Sequence, residues 1–235
     1  MATDAQVVSP LFFPGGDIGS LAVFGTVNDV AMLSATPLYL SASFILEEGF
    51  ALADLKRIVE SMAAASRDCG VPIVTGDTKV VERGKGDGVF ISTTRLGIVP
   101  LTREIGGANA RPGDVVLLSG STGEYGIAAL IQREALDFET QVKSDSAALY
   151  ALVQAMLASV QAGAVHVLRD PTRGGLATTL NEIADQSAVG MLIEESAIPI
   201  LPQVEAICEL LGAHPLGARR RGSARSLPIH IVLSR

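Results

Sequence analysis

Val71-Pro-Ile-Val-Thr-Gly-Asp-Thr-Lys-Val-Val-Glu-Arg-Gly84 starts as an apolar run and is interrupted by Gly76, Asp77, Thr78 and Lys79. Read with the helical spacing of Leu52, Leu55, Val59 and Met62 before it and the stop at Gly70, it is a strand that follows a helix and ends in a site. Side chains alternate along an extended segment, so Asp77 and Lys79 share one face and Thr78 takes the other. At the end of a buried strand such groups cost several kcal/mol unless a metal, a phosphate or a counter-charge compensates them. The competing reading is a surface turn with an ordinary Asp–Lys pair worth under about 1 kcal/mol.

The period keeps alternating outward from this stretch. Gln6 to Phe12 reads as a strand, and Asp17 as the N-cap of a helix through Leu21, Ala22, Phe24, Val27, Val30 and Leu33 that stops before Pro37. Residues 38–46 and 89–99 read as strands, with a Gly-rich turn between Gly84 and Gly88. Residues 101–113 read as a linker. Beyond it come a strand at 114–119, helices at 124–134 and 144–161, a buried strand at 165–168, a helix to Gln186, a strand near Met191 and a helix to Leu211. The pattern is mixed α/β in two halves, 1–100 and 101–212.

Composition supports a real core: 235 residues, 48% hydrophobic and 18% charged, with no run near the ~18 apolar residues of a membrane span. The start at Met1 lacks the features of a secretory signal, so the cytoplasm is expected. Cys69 and Cys208 have no metal-ligand spacing and read as packing residues. Residues 213–235 hold five of the 18 bases (Arg219, Arg220, Arg221, Arg225 and Arg235) and none of the 25 acids. That shift marks an Arg-rich tail unrelated to the fold before it. It lacks the aromatics and reading motifs of a nucleic-acid binder.

Three constellations could carry chemistry. Asn28-Asp29 lies in a helix apolar nearly all round, so Asp29 needs a partner, for which Mg²⁺ is suited because it takes carboxylates plus substrate phosphates. The alternative is a capped or solvent-facing Asp near Gly25. Gly-Asp-Thr-Lys at 76–79 is the second. In the third, Asp170-Pro-Thr-Arg-Gly-Gly, a strand delivers an acid and glycines admit a ligand to a helix N-terminus; the alternative is a cap by Asp170 or Thr172. The loop Phe13-Pro-Gly-Gly-Asp-Ile-Gly19 matches neither a Walker A loop nor a dinucleotide fingerprint. His166, His214 and His230 show no zinc spacing, and His166 reads as a satisfied core residue.

Val8-Ser-Pro-Leu-Phe-Phe-Pro-Gly-Gly-Asp-Ile-Gly19, Gly25-Thr-Val-Asn-Asp-Val-Ala31, Phe44-Ile-Leu-Glu-Glu-Gly49, residues 74–84 and Asp170-Pro-Thr-Arg-Gly-Gly-Leu176 together resemble the HypE family of [NiFe]-hydrogenase maturation proteins over about residues 3–212. The resemblance implies the two-domain, PurM-like α/β fold of the aminoimidazole ribonucleotide synthase superfamily, with a mixed sheet and helices on one face in each half. It also implies an ATP-dependent dehydratase that converts a carbamoylated C-terminal cysteine to a thiocyanate. The expected cofactors are ATP and Mg²⁺. The expected partners are a second copy of the chain, a HypF-like carbamoyltransferase and the HypC–HypD complex. By motif, Asp29 and Asp77 hold Mg²⁺ and Lys79 is the catalytic residue that stabilises developing charge or assists proton transfer. Asp4, Asn28, Thr78, Asp170 and Thr172 join Asp29 and Asp77 in binding the nucleotide.

The family pattern also has a Gly-rich loop and paired Asp motif ahead of the first strand, an Ala-Asn-Glu-Gly-Lys motif after the segment Cys208-Glu-Leu-Leu-Gly212, and a final Pro-Arg-Ile-Cys. This chain reads Ala213-His-Pro-Leu-Gly217 after Gly212 and ends at Leu233-Ser-Arg235. The expectation is a shortened member, with an internal deletion and a shifted reading frame after Gly212, that lacks the acceptor thiol. Such a chain would be a nucleotide-binding or partner-binding remnant, the other alternative being a different PurM-like ATP-dependent enzyme.

Overall fold

The computed structural model describes residues 1–101, 104–133, 142–172, 174–212, 214–216 and 231–234. In chain order the elements are β1 (Ala2–Gln6), β2 (Phe12–Phe13), β3 (Gly16–Asp17), α1 (Ile18–Ala31), β4 (Thr36–Glu47), α2 (Leu52–Asp68), β5 (Ile73–Val81), β6 (Val89–Ile98), β7 (Val115–Leu118), α3 (Glu124–Arg133), α4 (Tyr150–Ser159), β8 (Val165–Arg169), α5 (Gly175–Ser187), a 3₁₀ turn at Glu195–Ala197, α6 (Pro202–Leu211) and β9 (Ile231–Ser234). They form two compact units. Unit 1 comprises Met1–Phe12, Gly16–Pro100 and Ser146–Gln154; unit 2 comprises Phe13–Gly15, Leu101–Asp145 and the chain from Ala155.

In unit 1 a four-stranded mixed sheet runs β1-β6-β4-β5, with only β4 and β5 parallel. Period-two burial along β6 (Val89, Ile91, Thr93 and Arg95 buried) turns one face onto α1 and α2. Ile18, Leu40, Ile58 and Ile91 are at most 1% exposed. Each contributes about 1.5–3 kcal/mol relative to an exposed side chain. Asp17 caps α1 as expected: its carboxylate accepts from the amides of Gly19 and Ser20, and the Ser20 hydroxyl closes a capping box. On the opposite sheet face Tyr39, Ile45 and Leu96 are open, 51%, 43% and 51% exposed.

The first strand falls at 2–6 rather than 6–12, paired with Arg95 through Ile91 of β6. Residues 144–149 are not helical, because their backbone is engaged elsewhere. The buried Asn28 amide donates to the Ala147 carbonyl (2.9 Å) and accepts from the Leu149 amide (3.0 Å), while the Ser144 amide bonds the Pro14 carbonyl (2.8 Å). Asn28 thereby ties a late segment into unit 1, so contiguous halves do not describe the molecule.

Unit 2 carries a three-stranded sheet, β7-β9-β8, antiparallel at both seams. Here the reading of 213–235 is corrected: Ile231–Ser234 is the central strand, pairing with Val115–Leu118 and Val165–Arg169. Leu216 also accepts from the Ala177 amide and packs beside Leu176 and Leu180. Those two contacts supply ladder and packing that a detached tail would lack. Arg219, Arg220, Arg221, Arg225 and Arg235 lie outside the described residues. The stretch near Met191 is irregular, and Cys69 and Cys208 are free, buried packing residues. No helix among the described residues is long and apolar enough to cross a membrane.

Candidate nucleotide site

The strand through Asp77 neither ends there nor is buried. β5 continues to Val81 as the exposed edge of the sheet, which removes the desolvation cost inferred from the sequence. Asp77 and Lys79 do share a face, with Nζ 3.5 Å from the carboxylate and side chains 64% and 73% exposed. Thr78 follows on the other face and its amide donates to Asp77 Oδ1 at 2.8 Å. Water screens the Asp77–Lys79 pair, so it contributes little to stability and both groups stay available to a ligand. Gly76 is obligatory: a Cβ there would lie 2.0 Å from the Ala42 carbonyl oxygen of β4. It lets the two backbones close in parallel register, opposing Ser43 to Asp77 and Ile45 to Lys79.

Asp4 projects from β1 toward α1. Its Oδ2 accepts from the Gln6 side-chain amide, and its Oδ1 from the Ala5 amide at 2.9 Å. The nearest helix position is Gly25, where an added Cβ would sit 3.5 Å from Asp4 and 3.6 Å from Gln6. Asp29 lies one helical turn beyond Gly25 on the same stripe, half-buried and with an interaction of its own. Thr26 fixes that stripe to the sheet by a hydroxyl contact with Thr93, which also donates to the Ala22 carbonyl (3.0 Å). Asn28, by contrast, has its amide committed to Ala147 and Leu149. It positions the backbone as well as belonging to the motif.

Asp170 and Thr172 belong to unit 2. The Thr172 hydroxyl donates to Asp170 Oδ2 at 2.8 Å. The N-cap of α5 is Gly174, left-handed at φ 77°, and the Ala177 amide of the first turn is taken by the Leu216 carbonyl. Arg173 lies outside the described residues. Among the described residues no group of three or more His, Cys, Asp or Glu side chains could hold a metal. A Mg²⁺ held by Asp29 and Asp77 would draw its remaining ligands from phosphates and water.

His166, as expected, is a satisfied core residue: Nδ1 lies 2.9 Å from the carboxylate of Asp114 on the β7 side of the same unit. Two features escaped the sequence reading. Arg95 is wholly buried on the inner face of β6, with no hydrogen-bond partner for any guanidinium nitrogen among the described residues. Glu124 is buried at the start of α3, and burial together with the charge of Glu124 raises the Asp145 carboxyl to about 7. Period-two alternation predicts an inward side chain at 95, but an arginine in that slot has no sequence signal for its partner.

Residues 1–99 match the N-terminal domain and residues 111–222 the C-terminal domain of AIR synthase related proteins. The carbamoyl dehydratase HypE of Cupriavidus necator is 70% identical over 222 residues, covering 94% of this chain and 63% of that protein. The chain thus spans somewhat under two thirds of the length of this curated relative. Among solved structures, a hydrogenase maturation protein HypE in complex with ATP superposes with TM-score 0.91 at 51% identity, covering 99% of this chain and 70% of the other. A HypE–HypF complex gives TM-score 0.91 at 46% identity, covering 100% and 74%. By domain content, motif order and coverage of these structures, the chain belongs to the HypE family of AIR synthase related proteins.

Proposed function

We propose that the chain binds MgATP in unit 1 and takes part in the ATP-dependent dehydration of a carbamoylated cysteine to a thiocyanate, the precursor of the cyanide ligands of [NiFe]-hydrogenase. The observation that carries this reading is the open Asp77-Thr78-Lys79 row on β5, which has no packing role, in a fold that matches an ATP-bound HypE at 51% identity. An amide oxygen is a poor leaving group, and ATP supplies the phosphoryl that makes its departure as phosphate accessible. Asp77 and Asp29 would hold the cation, and Asp4 would orient beside the Gly25 gap. Lys79 would balance charge that develops on the phosphoryl oxygens. For Asp170 and Thr172, in unit 2, the family resemblance supports a nucleotide-binding role.

The solved HypE–HypF complex supports a HypF-like carbamoyltransferase as partner, and the resemblance adds the HypC–HypD complex as cyanide acceptor. The open sheet face with Tyr39, Ile45 and Leu96 supports pairing with a second copy. A cytoplasmic setting belongs to the same reading. Cys69 and Cys208 are both buried, and burial pushes both thiols up, Cys69 to about 11, so neither is suited to be the thiol that accepts the carbamoyl group.

Calorimetric titration with MgATP, beside Asp77→Asn, tests the site. Saturable binding weakened at least about tenfold in the variant is expected, the loss of one charge-assisted contact. A folded chain that binds no nucleotide would overturn the reading.

A further inference from the structure

The motif Phe44-Ile-Leu-Glu-Glu-Gly49 has no part in the assignments above. It ends β4, and the sheet order β1-β6-β4-β5 makes the chain leaving β5 pass over that end to reach β6. Glu47 stands under the crossing. Its Oε1 accepts from the Gly84 amide at 2.6 Å and its Oε2 from the Gly88 amide at 3.1 Å, while its own amide donates to the Gly88 carbonyl at 2.8 Å. The bonds from Gly84 and then Gly88 hold the Glu47 carboxyl below its ordinary value. Gly84 and Gly88 are left-handed, at φ 80° and 76°, so the crossover takes a path that residues with side chains rarely follow.

The crossover continues the strand that carries the nucleotide row. Among the described residues β4 is the only sheet neighbour of β5, so Asp77 and Lys79 depend on how the two ends of β5 are fastened. At the near end the Val71 amide bonds the Ser66 carbonyl and the Leu40 amide bonds the Pro72 carbonyl, both at 3.0 Å. At the far end the Glu48 amide bonds the Val81 carbonyl at 2.9 Å, and beyond it the chain is held by the Glu47 carboxylate. Glu47 opposes Val81 and Ile45 opposes Lys79, which makes Glu47 and Lys79 diagonal neighbours on one face of the sheet. A carboxylate suits this place better than an amide. Two N–H donors meet its two oxygens, whereas a glutamine would turn its own NH₂ toward one of them.

We propose, on the MgATP reading of unit 1, that Glu47 is a positioning residue of the nucleotide site: by clamping the crossover it fixes the far end of β5 and the presentation of Asp77 and Lys79 to the phosphates. Phosphate binding and seating of the crossover then favour the same position of β5. Linkage makes their coupling reciprocal, so MgATP must tighten the crossover to the extent that the crossover favours MgATP.

The test is calorimetric MgATP titration of the full chain, with amide exchange at Gly84 and Gly88 read by NMR, for the wild type, Glu47→Gln, Glu48→Gln and Ile58→Val. Glu48, whose carboxylate reaches only the Arg83 amide at 3.4 Å, controls for charge at the turn. Ile58, fully buried in α2, controls for lost stability in the same unit. MgATP should slow exchange at the two amides about fivefold in the wild type, and Glu47→Gln should abolish that slowing and weaken MgATP binding about fivefold. Both controls should bind within about twofold of the wild type. A wild type that binds no MgATP overturns the nucleotide reading and the role of Glu47 together. Wild-type affinity retained by Glu47→Gln overturns the role of Glu47 alone. The wild-type coupling needs no variant: bound MgATP without slower exchange at Gly84 and Gly88 overturns that role too. A loss of affinity shared by Ile58→Val at an equal fall in melting temperature would reduce Glu47 to a contributor to stability and overturn it equally.

Discussion

Replacing Arg95 by methionine should make the protein more stable. The guanidinium is fully buried beside Leu40 in the sheet register, and none of its three nitrogens has a hydrogen-bond partner among the described residues. Loss of hydration lowers its pKa to about 10, against smaller opposing contributions from Cys69 and Tyr150. At 1.36 kcal/mol per unit, the folded state carries a penalty of about 3 kcal/mol for keeping this group charged. Arg95→Met removes the charge and keeps a flexible apolar stem, less about 1 kcal/mol for unfilled volume. The sign with pH follows. Below about 10 the arginine is charged in both states and the penalty is complete; above that, and below the ordinary arginine range, the folded state releases its proton first, so wild-type stability rises with pH there. Urea denaturation should show the Arg95→Met midpoint higher by about 1–2 M at neutral pH, for a slope of about 1–3 kcal/mol per M. Arg95→Lys should show no such gain. An Arg95→Met midpoint at or below the wild type's would refute the reasoning and mean that the guanidinium is satisfied in the folded protein.

Other substitutions probe the frame around the sites. Gly76→Ala must force β4 and β5 apart, costing about 1–3 kcal/mol or more and disturbing the Asp77 row, measurable as a lower urea midpoint together with weaker MgATP binding. Asn28→Ala removes both ties to the 147–149 backbone, about 1–3 kcal/mol, and hydrogen exchange should show the Leu149 amide losing protection before the α2 core does. Burial raises the Asp114 carboxyl, but the hydrogen bonds from His166 and the Arg111 amide outweigh it and leave the net pKa below 3.8. Its stabilising effect is therefore present above the ordinary carboxylate range and lost as pH falls through its lowered pKa. Asp114→Asn should flatten that acid limb of a stability–pH profile.

Periodicity and punctuation made most of the fold legible: the Asp17 cap, the α2 stripe and the β6 alternation are local signals, and the structure follows them. Long-range demands on the backbone were not legible. Residues 144–149 have helical composition, yet hydrogen bonds from Asn28 and Pro14, more than a hundred positions earlier, take the groups a helix would use. Likewise 231–234 sits after an Arg-rich run and still completes a sheet, because the empty lane between β7 and β8 selects a strand regardless of what precedes it. For the candidate site, residue identities were readable and environment was not: β5 reads as buried from its valines, but edge position leaves Val74 and Val80 56% and 68% exposed. The influence of Glu124 on Asp145 went unseen because the two are 21 positions apart and act on each other only in the folded chain.

The tie from Asn28 to Ala147 and Leu149 also orders events during synthesis. A nascent chain that has just passed Pro100 holds every strand of the first sheet but not the segment that its buried asparagine requires. At about 5–20 residues per second, the ribosome needs roughly 3–11 s to deliver the chain through Gln154. Throughout that interval Asn28 has no 147–149 backbone to bond, and the edge strand β5 stands open to neighbouring polypeptides. Conditions that slow translation across the middle of this message should therefore raise the fraction lost to aggregation before the first unit closes.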